Sequence, residues 1–498
     1  MKRFSTLPCL LLVLFASVCA QLCSRPNVVI IYADDLGWGS LSCYGQTACQ
    51  TPHLDRMARE GARLESFYVS TPSCAPSRVA LLTGRYPFRT GVPSNPAPDA
   101  GRDHGIDAKE TTLAELLKGE GYATKIVGKW HLGHLPQFYP TRHGFDSYFG
   151  ILYSNDMRPV MLCRDEMAVE YPVVQNYLTQ RYTQEALNFI EEQKDSSFFL
   201  YFPHAMPHKP LAASEDYYKP GGVAADLYAS VIRELDWSVG QVLQKLGDLK
   251  LAENTLVLFA SDNGPWYGGD TGGKRGMKGS SWEGGIRVPG IFWWPGQIPG
   301  GQVIAQPCGT IDVFPTLCQL LNLDGNQYHL DGYNIWPVLQ GKPGPDRAVF
   351  AWNGNTLMSA RKGRWKLHRT APNARPRGVK GEIWIDERGP DGITLIAPFE
   401  QAQLWEYPSP ADTPDTAPSK PMQLFDLETD PGEQIDVTAM HPDIVKELSN
   451  LMDAELATVG EVARVNPSNV QYYLGPGRID QTNPMSIEEA LRRTRGHP

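Results

Sequence analysis

Three segments of this chain share one design: an apolar run that stops abruptly in acidic, amide or histidine residues. They are NVVIIYADD (27–35), SSFFLYFPHAMPH (196–208) and NTLVLFASDNG (254–264). A run with so little polar alternation does not suit a strand with one face in water. It suits a strand covered on both faces, as in a parallel sheet flanked by helices. A shorter strand pattern, ATKIVGKWH, delivers Lys129 and His131 in the same way. Between these lie helical patterns. One starts at Thr51 and stops near Gly61, and another runs from a Thr111 or Thr112 cap to Gly119 and Gly121. The longest is the amphipathic LYASVIRELDWSVGQVLQKLGDL. The alternation predicts an α/β domain with a mostly parallel sheet. Ligand sites of such sheets gather beyond the carboxyl ends of the strands, where every unusual polar cluster of this chain falls. That agreement between distant segments argues for a single active site.

After about residue 345 the pattern changes. AVFAWNGNTLMSARKGRWKLHR and PMQLFDLETDPGEQIDV read as short antiparallel strands, followed by a closing helix over 441–457. A smaller C-terminal α+β unit is therefore expected over 346–498, with a Pro-, Gly- and Asp-rich extended loop at 371–420. At the other end, Lys2 and Arg3 precede the apolar run Leu10 to Ala16 and the small or modest residues Ser17 to Ala20. This layout predicts a signal peptide over 1–20, cleaved after Ala20, and hence a secreted or periplasmic protein whose larger domain spans 21–345. No other run is long enough to span a bilayer. The net charge of -9 argues against a nucleic-acid binder, although a small cationic pocket is compatible with it.

Nine cysteines are present, and removal of Cys9 and Cys19 with the leader leaves seven. An odd cysteine in an oxidising compartment calls for explanation. Cys43 and Cys49 are near enough in sequence to close a small loop. Cys74, in PSCAPSRVALLTGR, has several readings: a disulfide half, a buried small residue, a thiol nucleophile, or the precursor of a modified residue. Pro76 suits the first turn of a helix running from Ser77 to Thr83. Cys74 then stands at or before a helix N-terminus, a setting expected to lower its thiol pKa.

The remaining clusters suggest an ion and an anion. Asp34 and Asp35 reach one ion only if the backbone turns there, because successive strand side chains point to opposite faces. With Asp262 and Asn263 they form an all-oxygen set suited to Ca²⁺ or Mg²⁺. Arg78, Lys129 and Lys278 sit in compact loops and, with His131 and either His204 or His208, suit an oxyanion and proton transfer.

The run Cys74-Ala75-Pro76-Ser77-Arg78 with Leu82-Thr83-Gly84-Arg85 resembles the sulfatase signature. YADDLGWG, GKWHLG, SDNG and MKGSSWEGGIRVPGIFWWPG resemble further blocks of that family in the expected order, over residues 26 to 345. LFDLETDPGE is similar, more loosely, to its C-terminal domain. The likeness is greatest to the arylsulfatase A and N-acetylgalactosamine-6-sulfatase branch. It implies an alkaline-phosphatase-like α/β domain with a smaller antiparallel C-terminal domain, and hydrolysis of sulfate esters, in nature of a sulfated carbohydrate.

The resemblance also implies roles. Cys74 is the residue that a formylglycine-generating enzyme oxidises during export to formylglycine, whose hydrate is the nucleophile. Asp34, Asp35, Asp262 and Asn263 match the Ca²⁺ ligands, completed by residue 74. Arg78 holds the hydrate, Lys129 and Lys278 bind sulfate oxygens, and His131 takes a proton from the hydrate. His208 is the expected general acid, chosen over His204 because His208-Lys209-Pro210 matches the family's spacing. Ser154, in GILYSND, lies near the sulfate, and Lys278 rather than Lys274 belongs to the block leading to Trp282. Two other readings stand beside this one: a phosphomonoester or phosphodiester hydrolase on the same fold, and a sulfated-glycan-binding protein with an unconverted Cys74. Specificity is expected in loops near 93–107, 155–175 and 371–420, with Trp266 and Tyr267 as further candidates.

Overall fold

The computed structural model describes residues 25–47, 49–95, 104–157, 160–218, 224–266, 269–372, 383–385, 402–404, 419–459 and 477–494. The expected leader, Tyr267 and most of the 371–420 loop lie outside these residues.

At the centre of the large sheet, five parallel strands lie in the order Thr255–Ser261, Asn27–Ala33, Phe198–Pro203, Ala123–Lys129, Ser147–Ile151. Side chains of the Asn27–Ala33 strand alternate between two separate cores. Val28, Ile30 and Tyr32 enter one, and Val29, Ile31 and Ala33 enter the other. This explains why the run has no polar alternation: neither face sees water. Val79, Leu113 and Leu317, from helices Cys74–Thr83, Leu113–Gly119 and Val313–Leu320, belong to the first core. The second core takes Leu54, Tyr182 and Leu235 from helices Pro52–Glu60, Leu178–Glu192 and Ala224–Asp248. The result is a three-layer α/β/α domain.

Further strands, mostly in antiparallel pairs, extend this sheet to eleven among the described residues. A separate four-stranded antiparallel sheet follows: Val349–Asn353, Thr356–Lys362, Trp365–His368 and Gln423–Asp426. Helix Pro442–Ala457 covers it, with Leu448 and Met452 against Trp352, Leu357 and Leu424.

The end of the chain departs from the expected division at 345/346. Met485–Ser486 pairs with Met167–Glu170 at the far edge of the large sheet, and Ile479 bridges Tyr171. Ile487, Ala490 and Leu491 then join the first core of that domain. The physical reason is an open sheet edge: Met167–Glu170 offers backbone groups that another strand can satisfy. The last described segment therefore belongs to the large domain, not to the C-terminal unit. Among the described residues, no helix is long and apolar enough to cross a membrane.

Candidate active site

Strand pairing continues past the strand ends and fixes where each loop begins. Asp262 N donates to Ala33 O (3.2 Å), His204 N to Tyr32 O (2.9 Å) and Trp130 N to Ile151 O (3.1 Å). Beyond these bonds the polar residues of several loops meet. Asp35 lies in the left-handed region at φ 63°, with its N–H donating to Asp262 Oδ1 at 3.1 Å. This is the turn that two consecutive carboxylates need to share a site, and it carries a conformational cost of about 1 kcal/mol for a non-glycine residue. Gly128 is tighter still: at φ 130°, a Cβ there would lie 1.8 Å from Pro203 O. Only glycine allows the neighbouring strand so close while delivering Lys129 to the loop.

Cys74 opens its helix rather than preceding it, and is fully buried. Its Sγ lies 3.5 Å from Asp34 Oδ1 and 3.7 Å from Asp35 Oδ1. The expected lowering of the thiol pKa is reversed. Burial, with the Asp262 charge adding, drives it well above the ordinary value, although Lys129 and Lys278 oppose this. Desolvation of the thiolate outweighs the helix N-terminus. Cys43, Cys49, Cys163, Cys308 and Cys318 are free as well, so the small loop that Cys43 and Cys49 could close in sequence is not closed by a disulfide.

Each carboxylate meets a cation. Arg78 donates through Nε (2.9 Å) and Nη2 (2.8 Å) to Asp262 Oδ2, and through Nη1 to Lys129 O (3.0 Å). Lys129 Nζ donates to Asp34 Oδ2 at 2.5 Å and to Ser154 Oγ at 3.1 Å. Lys278 Nζ lies 2.7 and 2.9 Å from the two Asp35 oxygens. Burial pushes the Asp34 carboxyl up to about 7, with Asp262 adding and Lys129 and Arg78 opposing. For Asp262, burial is outweighed by Arg78, Lys129 and Lys278, which hold it below the usual carboxylate range.

The histidines separate clearly. His208 Nε2 sits 3.6 Å from Asp35 Oδ2, and Ser154 Oγ lies 3.4 Å from the ring. Nδ1 of His208 faces two acceptors, Asn155 Oδ1 (2.9 Å) and Lys209 O (2.6 Å), so it carries a proton and Nε2 is the nitrogen turned to the site. His204 lies instead against Phe202 with its Nε2 3.4 Å from Ser238 Oγ, and burial lowers its pKa to about 3. His131 is buried at φ 64°, and neither ring nitrogen has a hydrogen-bond partner among the described residues. Burial and then Lys129 and Arg78 hold it neutral, well below the ordinary histidine value. Lys274 stays outside the cluster, its Nζ 3.1 Å from the centre of the Trp38 ring.

The fit to a hard cation rests on two observations. Ligand atoms of Asp34, Asp35, Cys74 and His208 all lie within 4.8 Å of one another. Asn263 donates its amide N–H to Asp35 Oδ1 (2.7 Å) while its Oδ1 is buried without a hydrogen-bond partner among the described residues. An oxygen-rich group with an orphaned amide oxygen suits an oxygen-seeking ion.

Asn155 escaped the sequence reading. Besides Nδ1 of His208 it holds the following loop, donating to His208 O (3.3 Å) and Pro210 O (3.0 Å). Its only signal was adjacency to Ser154. Of the proposed specificity residues, Trp266 is half-buried next to the cluster's Asp262–Asn263 turn.

The fold is that of the sulfatases, and the family comparison gives the class. The family profile described as Sulfatase matches residues 26–323, and that for the C-terminal region of aryl-sulfatase matches 344–472. The chain belongs to the sulfatase family and is a sulfuric ester hydrolase. It is 40% identical over 442 residues to N-acetylgalactosamine-6-sulfatase of Sus scrofa, covering 82% of this chain and 81% of that protein. Among solved structures it is similar to PsFucS1 sulfatase from Pseudoalteromonas sp., at 26% identity and TM-score 0.74, covering 91% and 94% of the two chains. Ps i-CgsB in complex with k-i-k-neocarrahexaose is similar at 26% identity and TM-score 0.70, covering 87% and 93%.

Proposed function

We propose that this protein hydrolyses sulfate esters of a carbohydrate at the site around residue 74, in the 21–345 domain completed by the returning C-terminal segment. The observation that carries this reading is convergence. Cys74, the carboxylates Asp34, Asp35 and Asp262, and the cations Arg78, Lys129 and Lys278 meet at one buried point, with two histidines beside it.

Calcium held by Asp34, Asp35, Asp262 and Asn263 with residue 74 would supply positive charge against the sulfuryl oxygens. A formylglycine made from Cys74 by a maturation enzyme would supply a hydrated aldehyde as the attacking oxygen. The protein's own residues do the rest. Lys129 and Lys278, now neutralising Asp34 and Asp35, become available to sulfate oxygens once those carboxylates serve a metal. Arg78, anchored on Asp262, orients the nucleophile. Neutral His131, with neither nitrogen engaged among the described residues, is the base that receives its proton. His208, fixed at Nδ1 by Asn155, directs Nε2 to the leaving oxygen. A proton carried on Nε2 would pass to the leaving oxygen. Ser154 bridges Lys129 and His208 and so registers sulfate against leaving group.

A leader over 1–20 would take the chain to a secreted or periplasmic location, where conversion of Cys74 belongs. Relatives named for N-acetylgalactosamine 6-sulfate make 6-O-sulfated amino sugars the first substrates to assay. Parallel assays on aryl sulfate and aryl phosphate test the reaction class, and a strong phosphate preference would overturn it. Peptide mass spectrometry over residues 64–85 tests the nucleophile; fully active protein with an unmodified thiol is the contrary result.

A further inference from the structure

Behind the loop that carries Lys278 lies a buried charge network contributed by the C-terminal sheet. Glu433, fully buried, accepts the backbone N–H of Glu283 at Oε2 (2.6 Å). Its Oε1 lies 3.0 Å from Lys366 Nζ and 2.7 Å from His368 Nε2. Lys366 Nζ also donates to Ser281 O (2.9 Å) and Glu283 Oε1 (3.0 Å). Glu433 is in the left-handed region at φ 54°, and its carbonyl accepts from Arg275 Nη1 at 3.0 Å. One residue from the C-terminal unit thus grips both ends of the 275–283 loop.

The front of the same loop touches the site at three points. Lys278 N donates to Pro265 O (3.0 Å), Gly279 N to Pro72 O (2.8 Å), and Lys278 Nζ reaches Asp35. The loop is therefore clamped between the Cys74 and Asn263 turns in front and Glu433 behind. A hydrophobic seal would hold two domains together at no cost in buried charge, and buried ion pairs seldom improve stability over apolar contacts. What directional bonds add is geometry: they fix where a loop stands to a fraction of an ångström.

We propose that Glu433, seconded by Lys366, is a positioning residue for Lys278, so that the C-terminal unit sets the sulfate grip of the active site. This rests on the reading of Lys278 as a sulfate-holding cation. The test is a double-mutant cycle on full-length protein with an aryl sulfate, using Glu433→Gln, Lys278→Ala and the pair, with the inhibition constant of inorganic sulfate as a second readout. Glu433→Gln is expected to lower kcat/KM about 10- to 100-fold, as loss of outer supporting groups does. It is expected to weaken sulfate inhibition in step. In the Lys278→Ala background the same change should cost less than about twofold, because the group it positions is gone. Equal losses in both backgrounds overturn the proposal, as does an unaffected Glu433→Gln enzyme. If Lys278→Ala alone leaves kcat/KM and sulfate inhibition unchanged, the assignment of Lys278 itself fails and the proposal with it. Should Glu433→Gln not fold, Lys366→Met replaces it in the same cycle, with the same outcomes supporting or overturning the proposal.

Discussion

Replacement of Lys129 by methionine separates the two duties of this cation. Methionine keeps most of the stem's volume and removes the ammonium that donates to Asp34 Oδ2 at 2.5 Å and to Ser154 Oγ at 3.1 Å. Both partners of the Lys129–Asp34 pair are fully buried. Removing one member of such a pair costs roughly 3–5 kcal/mol; here Asp34 loses its nearest counter-charge and keeps Arg78 Nη2 at 3.5 Å. Unfolding entropy of about 2.1 cal/mol/K per residue over 498 residues is roughly 1 kcal/mol/K, so the metal-free variant should melt about 3–5 °C below the parent. A metal bound by Asp34 compensates the same carboxylate, so in calcium the deficit should nearly vanish. Activity should not recover: losing one donor to a developing anion costs about 10²–10³ in kcat. The deficit should also shrink below pH 7, since a carboxyl already raised to about 7 gains a proton there and no longer needs the lysine. Melting curves in chelator and in calcium at several pH values, beside aryl sulfate kinetics, provide the check. Equal melting deficits with and without calcium would refute the idea that lysine and metal share Asp34.

Other substitutions follow the same geometry. Gly128→Ala places a Cβ 1.8 Å from Pro203 O and should shift Lys129 enough to cost at least about 10²-fold in kcat/KM, measured on folded protein. His208→Ala should lower kcat by about 10²–10⁴ with an aryl sulfate of poor leaving group, whereas His204→Phe should leave turnover within about threefold. The same His204→Phe protein tests linkage. His204 is held to about 3 in the fold but titrates near 6.5 when unfolded, so its contribution is complete above about 6.5 and is lost as pH falls toward 3. The variant should lack up to about 1.4 kcal/mol per pH unit of that acid slope, and parallel denaturant curves at pH 7 and 5 would count against this. Asn155→Ala should cost kcat more than KM, since it removes one of the two acceptors that hold Nδ1 of His208, leaving Lys209 O, without touching the lysines proposed to hold sulfate; an effect confined to KM would contradict the proposed role.

Much of this was legible in one dimension because each site residue is tied to a local pattern. An apolar run buried on both faces ends in Asp34–Asp35, another in Asp262–Asn263, and a parallel sheet must bring such ends to one side. The C-x-P-S-R block and its companions mark their chemistry by residue type and spacing. Tertiary structure decided what depends on surroundings rather than on neighbours in sequence. A helix N-terminus alone lowers a thiol pKa, yet complete burial beside Asp262 raises that of Cys74. His204 and His208 are four residues apart on one loop, and only the fold turns one into the core and the other to Asp35. Glu433 meets the amide of Glu283 across 150 residues, and the last strand returns to an edge left open near residue 168. Local propensity and composition carry no record of such contacts, because desolvation and long-range pairing exist only once the chain has closed on itself.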